Sequence, residues 1–403
     1  MRVQTLLFLV HRIPYPPNKG DKIRSFNQLK ALSKKYRVFL GTFIDDPADK
    51  EYLKELESYC EEVFPVSIDP AYRKLLSLSG IPRGLPLSVE FYKSSQLRRW
   101  VRTTIERENI EKILCFSAAM AQFVMGPHYE HCARVIDFVD VDSAKWREYA
   151  KRHKWPMSLV YARESTTLLN FERRVAEVFD VSTFVTEEEA ALFRSISGIS
   201  TGSVRAVENG VDTRYFAPDE NLPNPYSPAE IPLVFTGAMD YWANVDAVTW
   251  FANKVFPRVK SEFPELTFWI VGTRPTVDVK KLASNPAVSV TGAVDDIRPY
   301  LEHAKISVAP LRIARGVQNK VLEAMAMAKP VVATSNAVEG IALPPQCLKL
   351  VADDIDGLVA AIRSNLENQV SPELGAVGRA HIVENHDWAA QTDKLIELLE
   401  ALG

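Results

Sequence analysis

Short apolar runs alternate with longer amphipathic segments along the whole chain. Five runs lie in the first half, TLLFLVH, RVFLGTF, KILCFS, RVIDFV and STFV, and five in the second, PLVFTG, LTFWIVG, VSVTG, ISVAPL and PVVAT. Apolar strands separated by helices are typical of parallel sheets that are covered on both faces. Because 403 residues exceed one typical core, the pattern predicts an α/β protein with two Rossmann-like, doubly wound domains.

The segment between the two sets of runs is rich in Pro, Asn and Gly, which predicts a hinge near residues 200–232. We expect a first domain over 1–205, a second over 206–385 and a last helix over 386–403. In doubly wound sheets, ligands bind beyond the carboxyl ends of the strands. Two sheets facing each other with these ends would form a deep cleft.

The net charge of -3 argues against a nucleic-acid partner, since such proteins usually carry a basic excess. The charge is uneven along the chain. Residues 1–205 hold 31 Lys+Arg against 26 Asp+Glu, and the remainder holds 17 against 25. The first half is therefore the part that we expect to meet an anionic surface.

The four cysteines form no CxxC pair and the seven histidines show no metal-ligand spacing. This usage predicts a reducing compartment and neither a disulfide framework nor a metal site. The apolar run TLLFLV ends at His11 and is too short for a signal sequence or a membrane span. We expect a cytoplasmic protein, without a dinucleotide cofactor because GxGxxG is absent.

The stretch RIARGVQNKVLEAMAMAKPVVAT carries the clearest chemistry. Arg312, Arg315 and Lys320 precede or begin an amphipathic helix, whose free N–H groups favour phosphate. Gly316 permits close backbone approach, and Glu323 can accept two hydrogen bonds from a ribose diol. The combination predicts a site for a nucleoside diphosphate. The alternative is a solvated basic turn with a Glu323–Lys320 surface pair.

This stretch resembles the signature of retaining glycosyltransferases of family 4, which have the GT-B fold of two facing Rossmann-like domains. There, two glutamates flank the helix start, and the second, which holds the ribose, matches Glu323. The first falls on Arg315 and a usual glycine falls on Gln318. The resemblance thus implies that the backbone of Gly316, Val317 and Gln318 contacts the donor sugar, or that the donor is atypical.

The resemblance extends over nearly the whole chain. NGVDTRYFAP is similar to the family's hinge-proximal motif, with Asn209-Gly210 in a turn of positive φ. FTGAMDYWANVDAVTWF and VTGAVDDIRPYL resemble sugar transferases of exosortase-linked (PEP-CTERM) extracellular polysaccharide systems. The family's architecture implies that the helix over 386–403 crosses back onto the first domain.

In most family members Arg and Lys follow the first glycine of the second domain, Gly237. Here Met239, Asp240 and Asn244 stand nearby instead, so the diphosphate would be neutralised by Arg312, Arg315 and Lys320. We assign Arg312 and Lys320 to catalysis. The other expected donor contacts are Gly20, Gly237, Gly272, Asp295, Arg315, Gly316, Val317, Gln318 and Glu323.

In the first half, PNKGDKIRSFN resembles the family's first glycine loop. Gly20 would let the backbone approach the donor phosphate, and Asp21 and Lys22 would face the acceptor. The alternative, compatible with this, is a strand-to-helix turn with Asp21 as the N-cap.

RVIDFVDVDSAKW contains a DxD pattern, which we do not interpret as a metal site because a two-domain cleft can neutralise the diphosphate with cations and a helix dipole. The family's histidine near the donor sugar falls on Val139. Asp140 is a candidate catalytic residue for orienting hydroxyl groups, and Asp137 a candidate acceptor contact. Capping of the next helix by Asp142 or Ser143 is an equal alternative.

The resemblance implies a metal-independent, retaining transferase that moves a sugar from a nucleoside diphosphate sugar to a polysaccharide or lipid-linked acceptor. A nucleotide-sugar 2-epimerase and a catalytically silent binding subunit are the alternatives. Two basic, aromatic segments, AYRKLLSLSGIPRGLPLSVEFYKSSQLRRWVR and AKWREYAKRHKWPMSLVYARESTTLLNFERR, predict peripheral contact with the inner face of the plasma membrane. The alternative for them is a set of solvated helix faces.

Overall fold

The computed structural model describes residues 4–17, 19–199, 202–314, 316–367 and 371–402. The chain divides into two units. The first comprises Met1–Glu208 and Thr392–Gly403, and the second comprises Asn209–Gln391. The unit bounds lie at 208 and 391, compared with the expected 205 and 385.

The first unit is built around a parallel sheet. Its strands are β1 (Thr5–Val10), β2 (Arg37–Ile44), β3 (Glu62–Ser67), β4 (Lys112–Phe116), β5 (Ala133–Val139), β6 (Val181–Phe184) and β7 (Val204–Ala206). Their order in the sheet is β3-β2-β1-β4-β5-β6-β7. Its helices are α1 (Gly20–Leu32), α2 (Leu53–Leu56), α3 (Pro70–Ser77), α4 (Leu87–Phe91), α5 (Ser95–Glu108), α6 (Asp142–Arg152), α7 (Met157–Val178) and α8 (Glu187–Ser197).

The second unit has a smaller parallel sheet. Its strands are β8 (Ile231–Thr236), β9 (Leu266–Val271), β10 (Val288–Gly292), β11 (Ile306–Ala309) and β12 (Val331–Ala333), in the order β10-β9-β8-β11-β12. Its helices are α9 (Trp242–Trp250), α10 (Phe256–Lys260), α11 (Val277–Lys281), α12 (Arg298–His303), α13 (Asn319–Ala326), α14 (Ile355–Glu367) and α15 (Ser371–Asn385). The predicted fold class, two Rossmann-like parallel sheets with helices, is confirmed.

Both faces of each sheet are buried, which explains the near-continuous apolar runs. In β1, Leu7 and Leu9 join one buried cluster, while Leu6 and Phe8 join the cluster on the opposite face. Successive side chains of a strand point to opposite faces, so a strand covered on both sides must be apolar at every position.

The last helix, α16 (Trp388–Glu400), contributes to the first unit. Leu395, Ile396 and Leu399 lie in the same buried cluster as Leu6 and Phe8. The Lys112 ammonium also donates a hydrogen bond to the Leu399 carbonyl. The expectation that the C-terminal helix crosses back onto the first domain is therefore confirmed.

Gly210 differs from its predicted role. Its φ is not positive, so the expected left-handed turn at Asn209-Gly210 is wrong. A Cβ at Gly210 would come within 2.7 Å of the Trp388 backbone, and Val211 N donates to His386 O at 2.8 Å. Glycine is needed there because two backbone segments meet.

Among the helices of the described residues, none combines the length and the apolar character that crossing a bilayer requires. The described part of the chain also contains no group of three or more His, Cys, Asp or Glu side chains placed to hold a metal ion.

Candidate functional site

The carboxyl ends of β8, β9 and β10 are held closely together in the second unit. Gly237 N donates to Val271 O at 3.0 Å, and Gly272 N donates to Gly292 O at 3.2 Å. A Cβ at Gly272 would lie 1.6 Å from Gly237 O. Any side chain at position 272 would clash with the backbone at Gly237, so packing alone requires glycine there, whether or not a ligand binds.

Lys320 lies over this edge of the sheet. It is the second residue of α13, and its Nζ lies 5.4 Å from the centre of the Phe235 ring at the end of β8. A Cβ at Gly237 would come within 3.4 Å of Lys320 Cε. The first turn of α13 thus places its cation against the loop that begins at Gly237.

Glu323 is one turn further along α13. Its half-buried carboxylate accepts no hydrogen bond and forms no ion pair within the part of the chain that the structure describes. Burial raises the pKa of Glu323 to about 7, against the smaller opposing effect of Lys320. A half-buried carboxylate without a partner is costly to ionise, unless a ligand donates to it.

Burial likewise lowers the pKa of Lys320 to about 8, against the opposing effect of Glu323. Its nearest polar contact is Gln318 Oε1 at 3.5 Å. Lys320 and Glu323 are both half-buried and form no ion pair with each other, so the alternative of a solvated surface pair is wrong. Both groups are electrostatically unsatisfied in the same place.

The loop before α13 is partly ordered by its own atoms. Gly316 has φ 66°, Val317 is buried, and Gln318 Nε2 donates to Gly316 O at 2.9 Å. Gln318 stands at the N-cap position but its side chain makes no capping hydrogen bond. Arg315, expected at the donor sugar, lies outside the described residues.

Arg312 is engaged by another part of the second unit. Its guanidinium forms two hydrogen bonds with the Asp246 carboxylate of α9, one of them 3.0 Å from Nε. It also lies 5.4 Å from the centre of the Trp250 ring. Asp246 therefore already neutralises Arg312, and a diphosphate would have to share this cation.

A cation that the sequence reasoning missed follows β9. Arg274 has φ 52° and its Nε lies 3.0 Å from Asp240 Oδ2. Asp240 and Asn244 belong to the loop and helix that follow Gly237, and Asn244 Nδ2 donates to Ala238 O at 2.9 Å. The signal was available in the sequence, because Arg274 follows the glycine at the end of LTFWIVG.

Asp295, the predicted donor contact after β10, is exposed, and its carboxylate accepts no hydrogen bond and forms no ion pair with the described residues. The carboxylate of its neighbour Asp296, in contrast, is held in place by an ion pair. Asp296 pairs with Arg298 at 2.6 Å, and Arg298 lies 4.0 Å from the centre of the Tyr215 ring. This arrangement holds the start of α12.

In the first unit, Asp21 joins a charged group beyond β1. Its carboxylate accepts from Arg12 Nη1 at 2.6 Å and lies 3.4 Å from His11 Nε2. Burial would raise the pKa of Asp21, but His11 and Arg12 outweigh it and hold that pKa well below its usual range. Asp21 is the second residue of α1, so the N-cap alternative is wrong; the N-cap position is Lys19.

Gly20 begins α1 and is exposed. A Cβ at this position would meet nothing within 4 Å, so the protein itself imposes no glycine there. The contact of Gly20 with the donor therefore stays a prediction.

Lys22 and Asp137 do not face an acceptor. Lys22 is 2% exposed and its Nζ lies 2.7 Å from Asp49 Oδ2. Asp137 is fully buried and accepts from Arg24 Nε at 2.7 Å and from Gln28 Nε2 at 2.6 Å. Both predicted acceptor contacts are corrected: these charges are paired inside the first unit, and they tie α1 to the rest of the unit.

Asp140 is partly exposed at the end of β5, where its Oδ2 lies 2.7 Å from Lys145 Nζ. Burial would lower the pKa of Lys145, but Asp142 and Asp140 outweigh this effect and raise it. Asp142 is the first residue of α6 and makes no capping hydrogen bond, and the Ser143 hydroxyl donates to Glu172. The capping alternative is therefore wrong for both residues.

Val139 is the last residue of β5 and has φ 70°. A β-branched residue in this region is strained. Val139 N is held by Asp137 Oδ1 at 3.1 Å, and Val139 O accepts from Val185 N at 2.6 Å. These contacts stabilise the strained turn immediately before Asp140.

Comparisons with known proteins show similarity of sequence in the second unit and of fold over nearly the whole chain. Residues 230–368 match the family described as Glycosyl transferases group 1. The matched residues lie within the second unit, which is thus similar to group 1 glycosyltransferases. A curated relative, 26% identical over 251 residues, is the GDP-mannose-dependent monoacylated alpha-(1-6)-phosphatidylinositol monomannoside mannosyltransferase of Corynebacterium glutamicum. The match covers 57% of this chain and 64% of that protein, which is less than two thirds of its length.

Solved structures are similar over nearly the whole chain. Sucrose-phosphate synthase from Thermosynechococcus elongatus has a TM-score of 0.70 at 19% identity, and the superposition covers 99% of this chain and 99% of that chain. Anabaena HepE, solved in complex with UDP, has a TM-score of 0.67 at 14% identity, with 99% of this chain and 100% of that chain covered. WaaG, a glycosyltransferase involved in lipopolysaccharide biosynthesis, has a TM-score of 0.65 at 13% identity, with coverage of 98% and 99%. These likenesses support the GT-B fold.

Proposed function

We propose that the protein is a glycosyltransferase that binds a nucleoside diphosphate sugar at the carboxyl edge of the second sheet. The observation that carries this proposal is the unpaired, half-buried carboxylate of Glu323, one turn into α13 and beside Lys320. A ribose diol has two hydroxyl groups that can donate hydrogen bonds to this carboxylate, which accepts none from the described residues.

The diphosphate is assigned to Lys320 and to the free N–H groups at the start of α13. A helix N-terminus favours negative charge, and the depressed pKa of Lys320 indicates a cation that a phosphate would stabilise. HepE is solved with UDP, and the Corynebacterium relative is named as GDP-mannose-dependent. Both names support a nucleotide-sugar donor and leave its base open.

We infer retention of configuration and independence of metal from the family resemblance. In this mechanism the bond between the anomeric carbon and the diphosphate oxygen breaks, and the acceptor oxygen forms its bond on the same face. The acceptor proton passes to the leaving diphosphate. The protein then contributes positioning and charge stabilisation, with Lys320 opposite the charge that develops on the diphosphate.

The acceptor is proposed to be a polysaccharide or a lipid-linked saccharide of extracellular polysaccharide synthesis. This part of the proposal rests on the resemblance of the loops after Gly237 and Gly292 to the exosortase-linked transferases. Asp140 is proposed to orient a sugar hydroxyl, because its partly exposed carboxylate is held in position by the Lys145 ammonium, 2.7 Å away.

A nucleotide-sugar-binding subunit without catalytic activity is the second candidate. Val139 favours it, because this residue stands where the related enzymes carry a histidine. One experiment separates the candidates. UDP-, GDP- and ADP-sugars are assayed for hydrolysis and for transfer to a saccharide acceptor, and the same nucleotides are tested by thermal shift. Turnover of one donor supports the transferase, stabilisation without turnover supports the binding subunit, and no response to any nucleotide contradicts both.

A further inference from the structure

The first unit exposes an unusual concentration of large apolar side chains. Leu75 is 65% exposed, Trp155 78% and Leu159 61%. They belong to two short segments, whose further exposed members are Tyr72, Leu76, Leu78, Ile81, Tyr149, Met157 and Val160. The first segment includes α3, and the second includes the turn between α6 and α7.

The two segments meet on one face of the unit. Arg163 of α7 donates from Nη2 to the carbonyls of Gly80 at 3.2 Å, Ile81 at 3.2 Å and Leu85 at 3.1 Å. Leu159 precedes Arg163 by one helical turn and so lies on the same side of α7. Glu164 fixes the contact further by accepting from Leu87 N at 2.7 Å. We call residues 72–83 and 147–160 together the basic apolar surface.

Its charge is strongly one-sided. Residues 72–83 contain Arg73, Lys74 and Arg83 and no acidic residue. Residues 147–160 contain the single acid Glu148 and four bases, namely Arg147, Lys151, Arg152 and Lys154. Arg83 is partly neutralised by Glu90 at 2.6 Å, and Arg73 Nη1 donates to Lys93 O. Lysines 74, 151 and 154 form no ion pair with the described residues.

We propose that the basic apolar surface docks the first unit onto an anionic phospholipid bilayer. Trp, Tyr and Leu side chains enter the interfacial layer, while Lys and Arg reach the lipid phosphates. A two-fold contact with a second copy fits less well, because the same positive patch would face itself. The inference is independent of the proposed sugar transfer, since lipid binding needs no donor.

Vesicle flotation of the full chain tests the proposal. We expect binding to vesicles of equimolar phosphatidylglycerol and phosphatidylcholine, weakened by salt, and much weaker binding to phosphatidylcholine alone. Lys151→Ala and Lys154→Ala should each lower the affinity for anionic vesicles roughly fivefold. The matched control replaces Lys254 and Lys280, exposed lysines of the second unit, by alanine and should leave binding unchanged.

The apolar part is tested with Leu75→Ser and Trp155→Ser. Each should weaken binding to anionic vesicles roughly tenfold or more. Val277→Ser, which changes a side chain 69% exposed in the second unit, is the control. Thermal melts establish that the variants fold. Absence of vesicle binding by the native chain, or equal losses in the control variants, overturns the proposal. A concentration-dependent dimer that Leu75→Ser abolishes would also overturn it, in favour of a protein interface.

Discussion

The side chain of Lys320 lies against Gly237, so closely that a Cβ at Gly237 would stand 3.4 Å from Lys320 Cε. The contact joins the start of α13 to the end of β8. It fixes the position of a half-buried ammonium whose stem packs on the sheet edge and whose charge has no carboxylate partner within the described residues. A group held in this way is pre-organised for an anion.

We predict that Lys320→Ala lowers kcat by roughly 100-fold, the effect of losing one stabilising donor in a transition state. Lys254→Ala, at an exposed lysine of the same unit, should retain native turnover. Steady-state kinetics with the best donor measures both. Near-native kcat for Lys320→Ala would remove Lys320 from catalysis.

The depressed pKa of Lys320 predicts a pH dependence. Burial lowers the pKa of this ammonium to about 8, and only the protonated form neutralises a diphosphate. Because kcat/KM reports the free enzyme, it should decline as the pH rises through about 8. Lys320→Arg, which stays charged, should lack this decline. An identical decline in the arginine variant would assign it to another group.

Glu323→Gln should weaken nucleotide binding by about 1.5–3 kcal/mol, because the ribose loses a charged acceptor. Titration calorimetry with the preferred nucleoside diphosphate measures the change. Glu220→Gln, at an exposed position of the second unit, is the control. Unchanged affinity in a folded Glu323→Gln protein would exclude the proposed ribose contact.

The same substitution should also affect stability. Burial raises the pKa of Glu323 from 4.5 to about 7, so between these values the folded chain keeps a proton that the unfolded chain releases. The associated stability is fully present below about pH 4.5 and is lost as the pH rises through about 7. Glu323→Gln cannot ionise and should melt at a higher temperature than the native protein above that range. Equal melting temperatures there would contradict the buried position of this carboxylate.

Arg312 and Asp246 allow a paired test. If Arg312 neutralises the diphosphate, Arg312→Ala should lower kcat by roughly 100-fold. Asp246→Asn should instead lower the KM for the donor, because it releases the guanidinium from its present partner. Near-native kinetics of both variants would mean that Arg312 and Asp246 form a surface ion pair that takes no part in donor binding or catalysis.

Asp137 provides a test of a corrected assignment. Asp137→Ala leaves Arg24 buried without its carboxylate and should destabilise the first unit by about 3–5 kcal/mol. The measurement is urea unfolding, compared with Asp140→Ala at the partly exposed end of the same strand. A stable Asp137→Ala protein with a raised KM for the acceptor would restore the original prediction.

The ten apolar runs predicted ten strands, and all ten are present. The two strands that the sequence did not reveal, β3 and β7, are the edges of the first sheet. Edge strands lose one neighbour, so their sequences, EVFPVS and VRA, need not be continuously apolar. Predicting such strands requires knowing which partner they join.

The candidate site residues likewise include some that the local sequence predicts and others whose contacts it does not predict. Lys320 and Glu323 were predicted because both lie on one short helix, where spacing in sequence fixes spacing on the helix. Lys22 occupies a similar local context, yet its buried ammonium pairs with Asp49, which lies 27 positions away in the 3-10 helix Pro47–Tyr52. The Arg24–Asp137 pair joins residues 113 positions apart. Contacts of this kind depend on tertiary packing, which local pattern does not specify.

The return of α16 to the first unit affects the order in which the chain folds during synthesis. Domains usually fold from the N-terminus as they leave the ribosome. Here the cluster around Leu6 and Phe8 is complete only when Leu395, Ile396 and Leu399 have been made. The second unit, encoded between them, can finish its core first. The first unit therefore keeps the apolar surface around Leu6 and Phe8 uncovered until α16 has been synthesised.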